Sequence, residues 1–161
     1  MYSIALPTEH LLFYPRSGSS DHMIARILVP IDDSEMALEA LEYALENHPD
    51  ADLTVLHVVG EPSPMWGEAT GLALEDDLEA ATEDLAEAVF TPARELAAEY
   101  GVEIDTEVRL GTPVRAILNR AEDFDAIVIG SHGGSVVDRL FVGNVAQKIF
   151  RRSPVPVIVV R

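Results

Sequence analysis

The 161-residue chain has no cysteine. That excludes a disulfide framework, a thiolate metal site and a thiol nucleophile. Lysine is almost missing too: Lys148 stands alone among 11 basic residues, and the rest are arginine. No apolar run approaches the roughly 20 residues that a membrane-spanning helix needs. Both common phosphate-loop patterns, G-x-x-x-x-G-K-[ST] and G-x-G-x-x-G, are absent.

Acid is what the sequence has in excess. It carries 28 Asp and Glu, for a net charge of −17. Such a surface repels nucleic acid and anionic lipid, so neither is an expected partner. The excess fits adaptation to high salt, which screens self-repulsion; a specific cationic partner is the sharper reading. Apolar residues make up 48 %, and the length suits one packed domain.

Residues 1–22 read differently from the rest. They hold Pro7, Pro15, Gly18 and a Ser-rich stretch without sustained periodicity. They lack the basic start and cleavage site of a signal peptide. A mobile tail or an upstream start is expected there, with the domain over residues 23–161 and a cytoplasmic location.

From Met23 onward, strand and helix alternate. Arg26 to Ile31 is a short apolar strand. A helix follows from about Ser34 to Asn47, with Met36, Leu38, Leu41 and Leu45 on one face. Asp52 to Val59 is the second strand. Gly60 to Gly71 is a loop containing Met65 and Trp66, which either fold over a ligand or pack on the sheet. An acidic helix over about Glu75 to Tyr100 carries a stripe of Leu78, Ala81, Leu85, Val89 and Leu96, and Pro92 should kink or break it.

Val102 to Leu110 is the third strand by its alternation. Thr112 suits an N-cap and Pro113 the first helical position; Val114, Ile117, Leu118 and Ala121 form that helix's stripe. Ala126 to Gly130 is an unbroken apolar run of the doubly buried kind. A last helix spans about Asn144 to Arg152, and a final strand Val155 to Val160. The alternation predicts an α/β fold: an open, doubly wound, five-stranded parallel sheet with helices on both faces.

Ligands of such sheets bind beyond the strands' carboxyl ends, where strand order reverses. Two strand ends are polar: Pro30-Ile31-Asp32-Asp33-Ser34 and Gly130-Ser131-His132-Gly133-Gly134-Ser135. In the second, the glycines free the backbone for positive φ and close approach. Gly143-Asn144 then opens a helix whose first amides lack partners and favour an anion. Spacing alone fits two readings, an anion site or a glycine turn followed by an ordinary helix cap.

Several segments together resemble the universal stress protein family. They are Ile27-Leu28-Val29-Pro30-Ile31-Asp32-Asp33-Ser34-Glu35, Leu56-His57-Val58, Gly111-Thr112-Pro113 with Ile117, and Ile127-Val128-Ile129-Gly130-Ser131-His132-Gly133. Gly143 with Val145-Ala146-Gln147-Lys148-Ile149 and Ser153-Pro154-Val155-Pro156-Val157-Ile158-Val159-Val160 complete the set. The resemblance implies strand order 3-2-1-4-5. Nucleotide-binding members carry glycine, two residues, glycine, nine residues, then glycine followed by Ser or Thr. Gly130, Gly133 and Gly143 keep that spacing.

The resemblance implies an adenine nucleotide, ATP, as ligand. Asp32 and the Val58 backbone would meet the adenine, and Pro30 and Gly130 the ribose. His132, Gly133, Gly143, Asn144 and Val145 would hold the phosphates; Ile31, Ile129 and Ala146 complete the expected site. A divalent cation, Mg²⁺ or Mn²⁺, would offset the negative charge beside Asp32 and Asp33. No spacing marks a dedicated metal cage.

Three positions depart from the family pattern: Asn144, Gly134 (often a cation) and Val136 (often glycine). Losing the cation should weaken triphosphate binding by about 1–2 kcal/mol. Asn144 can still donate through its amide and is a good N-cap. Asp32 and Ser34 have a second reading as caps of the first helix. His57 reads as a structural strand residue and Arg139 as a solvated loop charge.

No catalytic set is evident. The expected function is a nucleotide-dependent stress or regulatory module. The competing readings are a stress dimer without nucleotide and a slow ATP hydrolase. The apolar strand Val155 to Val160, read as an uncovered edge, predicts a homodimer joined along it.

Overall fold

The structure is a computed structural model that describes residues 10–13, 23–60, 75–132 and 143–161. Its described elements run in the order β1 (His10–Phe13), β2 (Arg26–Ile31), α1 (Glu35–Asn47), β3 (Asp52–Val59), α2 (Glu75–Glu99), β4 (Asp105–Leu110), α3 (Pro113–Ala121), β5 (Ala126–Gly130), α4 (Asn144–Arg152) and β6 (Val157–Val160).

The strands form one sheet in the order β1-β6-β5-β2-β3-β4. From β2 onward every pairing is parallel, which is the expected 3-2-1-4-5 arrangement. The sixth strand was not expected. His10–Phe13 lies antiparallel on β6, pairing His10 with Val160 and Phe13 with Val157. The C-terminal strand is therefore no bare edge, and it starts at Val157 rather than Val155. Four residues without flanking periodicity are too few to announce a strand; the partner's edge supplies the signal.

Alternation divides the buried side chains between two faces. Ile27, Val29, Leu53, Val55, Val128 and Ile158 pack against α1 and α2. Leu28, Leu56, Ile127, Ile129, Val157 and Val159 pack against α3 and α4. Helices thus cover both sides of the parallel strands, and β5 is buried along its whole length.

The expected stripes hold in part. Leu41 and Leu45 are buried, and Leu38, Val89 and Leu96 pack against the core. Val114, Ile117, Leu118 and Ala121 of α3 do the same on the other face. The side chains of Leu78 and Ala81 lie outside the described residues. In α2 the buried residues are Ala86, Phe90, Ala93 and Ala97, while Leu85 is 60 % exposed. In α1 the buried set is Ala37, Ala40, Leu41, Ala44 and Leu45. Alanine decides both cases, because small side chains let the helices and sheet approach closely.

Pro92 does not break α2. It lacks the amide that would reach the Ala88 carbonyl, yet both residues are exposed, so water can satisfy that carbonyl. Phe90 and Ala93, both buried, anchor the helix on either side. β4 starts at Asp105, where its pairing with Thr54 begins; Val102 and Ile104 pack on the core ahead of it.

Candidate functional site

The chain passes from β2 out to β4 on one side, then returns to β5 and β6 on the other. The reversal lies between β2 and β5. Their register pairs Ile27 with Ala126 and Leu28 with Ile127 and goes no further. Pro30 has no amide to continue the ladder, and a cavity of about 400 Å³ opens at the carboxyl ends of the two strands.

Three walls enclose it. One is apolar: Leu56 and Val58 from β3, with Pro113 and Ile117 from α3. The second is the end of β2, Pro30-Ile31-Asp32, with Ala37 of α1. The third joins Ile129, Gly130, Ser131 and His132 to Gly143, Asn144, Val145 and Ala146 at the start of α4. Every expected site residue except Gly133 lies on these walls. Gly133 falls outside the described residues, as do Gly134, Val136, Arg139, Met65 and Trp66.

The geometry changes the reason for two glycines. Neither Gly130 nor Gly143 adopts positive φ; among the described glycines that belongs to Gly101 and Gly111. A Cβ on Gly130 would fall 2.7 Å from the Met36 carbonyl oxygen, so only glycine lets β5 end against α1. A Cβ on Gly143 would sit 3.0 Å from the Ser131 carbonyl oxygen. That carbonyl accepts the Gly143 amide, which closes the base of the loop between them.

Gly143, not Asn144, is the N-cap of α4, and no side chain caps it. Among the described residues, no side chain accepts from the first-turn amides, which lie next to the cavity. The basic residues Arg151 and Arg152 sit in the last turn, where they complement the helix dipole.

Ser131 escaped the sequence reading. It is fully buried, and its amide donates to the Val160 carbonyl at 2.7 Å. Its Oγ lies 2.7 Å from His132 Nδ1. His132 Nε2 is buried and has no hydrogen-bond partner among the described residues. A serine after a strand's last glycine is an ordinary turn residue, so sequence held no sign of this pairing.

Asp32 and Ser34 divide the capping role. The Ser34 hydroxyl accepts the Ala37 amide at 3.3 Å and caps α1. Asp32 Oδ1 accepts the Ser34 amide at 3.0 Å and also its hydroxyl. Thr112 holds the N-cap position of α3 without a side-chain cap bond. His57 points away from the cavity-side core: its Nδ1 lies 2.9 Å from the Ile31 carbonyl oxygen, and its ring meets Phe90 edge-on. Among the described residues, no three carboxylate or imidazole groups gather as a metal site would need.

Residues 23–161 match the model of the universal stress protein family. The chain belongs to that family. Universal stress protein MJ0531 of Methanocaldococcus jannaschii is 31 % identical, covering 98 % of this chain and 94 % of its own length. Universal stress protein YxiE of Bacillus subtilis is 32 % identical over 86 % of this chain and all of its own. The solved UspA from Lactobacillus plantarum superposes with a TM-score of 0.66 at 26 % identity, covering 88 % of this chain and 100 % of its own.

Two solved family members were obtained with nucleotides, and at their identities the likeness is one of fold. One, in complex with cAMP, is 21 % identical with a TM-score of 0.62, over 86 % of this chain and 97 % of its own. The other, from Archaeoglobus fulgidus in complex with dAMP, is 20 % identical with a TM-score of 0.60, over 86 % and 98 %. No helix among the described residues of this family member is long and apolar enough to cross a membrane.

Proposed function

We propose that this universal stress protein binds an adenine nucleotide, ATP, in the crevice between β2 and β5. There it acts as a nucleotide-dependent regulatory module of the cytoplasm. One observation carries the reading: a single cavity joins an apolar slot to the uncapped start of α4. A flat base suits the slot formed by Leu56, Val58, Pro113 and Ile117, and phosphate oxygens suit the free amides.

In this reading the residues divide by chemistry. Asp32 and the Val58 backbone read the base, and Asp32 does so through the oxygen that Ser34 does not use. Pro30, Ile31, Ile129 and Gly130 shape the ribose end. His132, Gly133, Gly143, Asn144, Val145 and Ala146 surround the phosphates. Ser131 turns the His132 ring: if its hydroxyl donates to Nδ1, Nε2 carries a proton and meets a phosphate oxygen as a donor. The cation, Mg²⁺ or Mn²⁺, would be held by phosphate oxygens and water, with Asp32 or Asp33 as a carboxylate partner.

The family members with cAMP and dAMP support the choice of an adenine nucleotide. The competing reading, a stress dimer without nucleotide, draws on one observation: internal packing alone accounts for Gly130 and Gly143. Calorimetric titration of the full chain with ATP and Mg²⁺ in concentrated KCl separates the two. Saturable heat with one site per chain supports the proposal. Absence of binding up to millimolar ATP overturns it.

Self-association through the C-terminal strand belongs to the same proposal, with a changed requirement. A second copy pairing along Val157–Val160 needs the place that β1 holds in this chain.

A further inference from the structure

We propose that residues 10–13 are an edge cap: they close the β6 edge from within the same chain, and their release lets a second copy pair there. Nucleotide binding plays no part in this device; the two ends of the sheet differ in how they are protected.

The parallel sheet would end at β4 on one side and β6 on the other. The β4 edge is guarded by its own sequence. Asp105, Glu107 and Arg109 place charge along it, and Arg109 and Arg120 both pair with Glu107. Charged side chains of this kind discourage pairing with another chain. β6 has no such device: it reads Val157-Ile158-Val159-Val160, buried at every position. A strand so apolar is left with unpaired amides and carbonyls along its free side unless another strand meets them.

In this chain the other strand is His10–Phe13. It runs antiparallel, whereas every pairing inside the domain is parallel. It also lies outside residues 23–161, the part that matches the family model. The five parallel strands are thus complete without it, and what it adds is cover for one edge. A β6 strand from a second copy would need that same edge. The cap and the copy compete for one row of hydrogen bonds, and a strand tethered to its own chain holds the advantage of effective concentration.

Absence of cysteine makes the test direct. Leu11 faces Val159 and Leu12 faces Ile158. Facing residues of an antiparallel pair have Cα atoms about 4.5–5.5 Å apart, within disulfide reach. Two full-length variants are made, Leu11→Cys with Val159→Cys and Leu12→Cys with Ile158→Cys. They are oxidised at low micromolar concentration and run without reductant. An intrachain disulfide, with monomer mass by light scattering, is expected from at least one. Covalent dimers, or no disulfide from either pair, would overturn the cap.

A third full-length variant carries Leu11→Pro and Leu12→Pro. Successive amides of a strand point to opposite sides, so one of the two lost donors faces β6 in either case. The expected result is a doubling of mass at concentrations where the native chain is monomeric. Unchanged mass overturns the competition. Should that variant fail to fold, glycine at the same two positions weakens the strand without removing a donor, and its mass is read against the same expectation.

Discussion

The hydroxyl of Ser131 lies 2.7 Å from Nδ1 of His132, while the other ring nitrogen is buried without a partner among the described residues. A fully buried serine thereby fixes the ring that borders the cavity. Ser131→Ala removes that tie and leaves the fold's main-chain bonds in place. ATP affinity should fall by about 2–12-fold, the worth of one hydrogen bond. Titration calorimetry on both proteins checks it; equal affinities would remove Ser131 from the site.

Gly130 and Gly143 should rank differently on replacement by alanine. The new methyl at 130 meets a main-chain oxygen of Met36 at 2.7 Å, so β5 or α1 must move. A loss of about 1–3 kcal/mol is expected from such overpacking. At 143 the contact with the Ser131 oxygen is 3.0 Å and a small shift relieves it. Gly143→Ala should cost less stability but disturb nucleotide binding. Urea denaturation of the two variants gives the order.

Glu107 ties β4 to α3 through Arg120, with contacts of 2.8–3.0 Å. Burial pushes its carboxyl up, but the hydrogen bonds from Arg120 and then Arg109 outweigh this and hold it below the ordinary range. Its contribution is therefore complete above the unfolded carboxylate value of about 4.3 and is lost as pH falls through the lower folded value. Glu107→Gln should be less stable than the native chain at pH 7, and the gap should close towards pH 3. Urea midpoints across that range report it.

The charge of −17 sets a dependence on salt. Like charges repel more strongly in the compact state, and added ions screen them. Between 0.1 and 2 M KCl the melting temperature should rise by roughly 3–8 °C, as a gain of 1–2 kcal/mol implies for a chain of this size. A flat melting curve across that range would mean that the acids are already neutralised locally.

The sheet was legible because its strands are short apolar runs bounded by turn residues. Arg26–Ile31, Asp52–Val59 and Ala126–Gly130 begin and end where the pattern places them. The site followed from the same logic, since strand ends and a helix start converge at a reversal of order. Three things were not legible. Alanine carries little periodic signal, so the expected stripes include Leu41, Leu45, Val89 and Leu96 but omit Ala40, Ala44, Ala93 and Ala97, which share the buried faces. The purpose of Gly130 lies in Met36, far from it in sequence. His10–Phe13 is a strand because of Val157–Val160, and no local pattern could say so.

The short ladder between β2 and β5 has a consequence for how occupancy would be felt. Paired only at Ile27–Ala126 and Leu28–Ile127, these strands forgo the ladder over their carboxyl halves, while β3 stays paired with β2 to its end. Admission of a ligand there requires no rupture of ladder bonds between β2 and β5. A bound ligand would then register as slower amide exchange along those two strand ends, with the outline of the molecule unchanged.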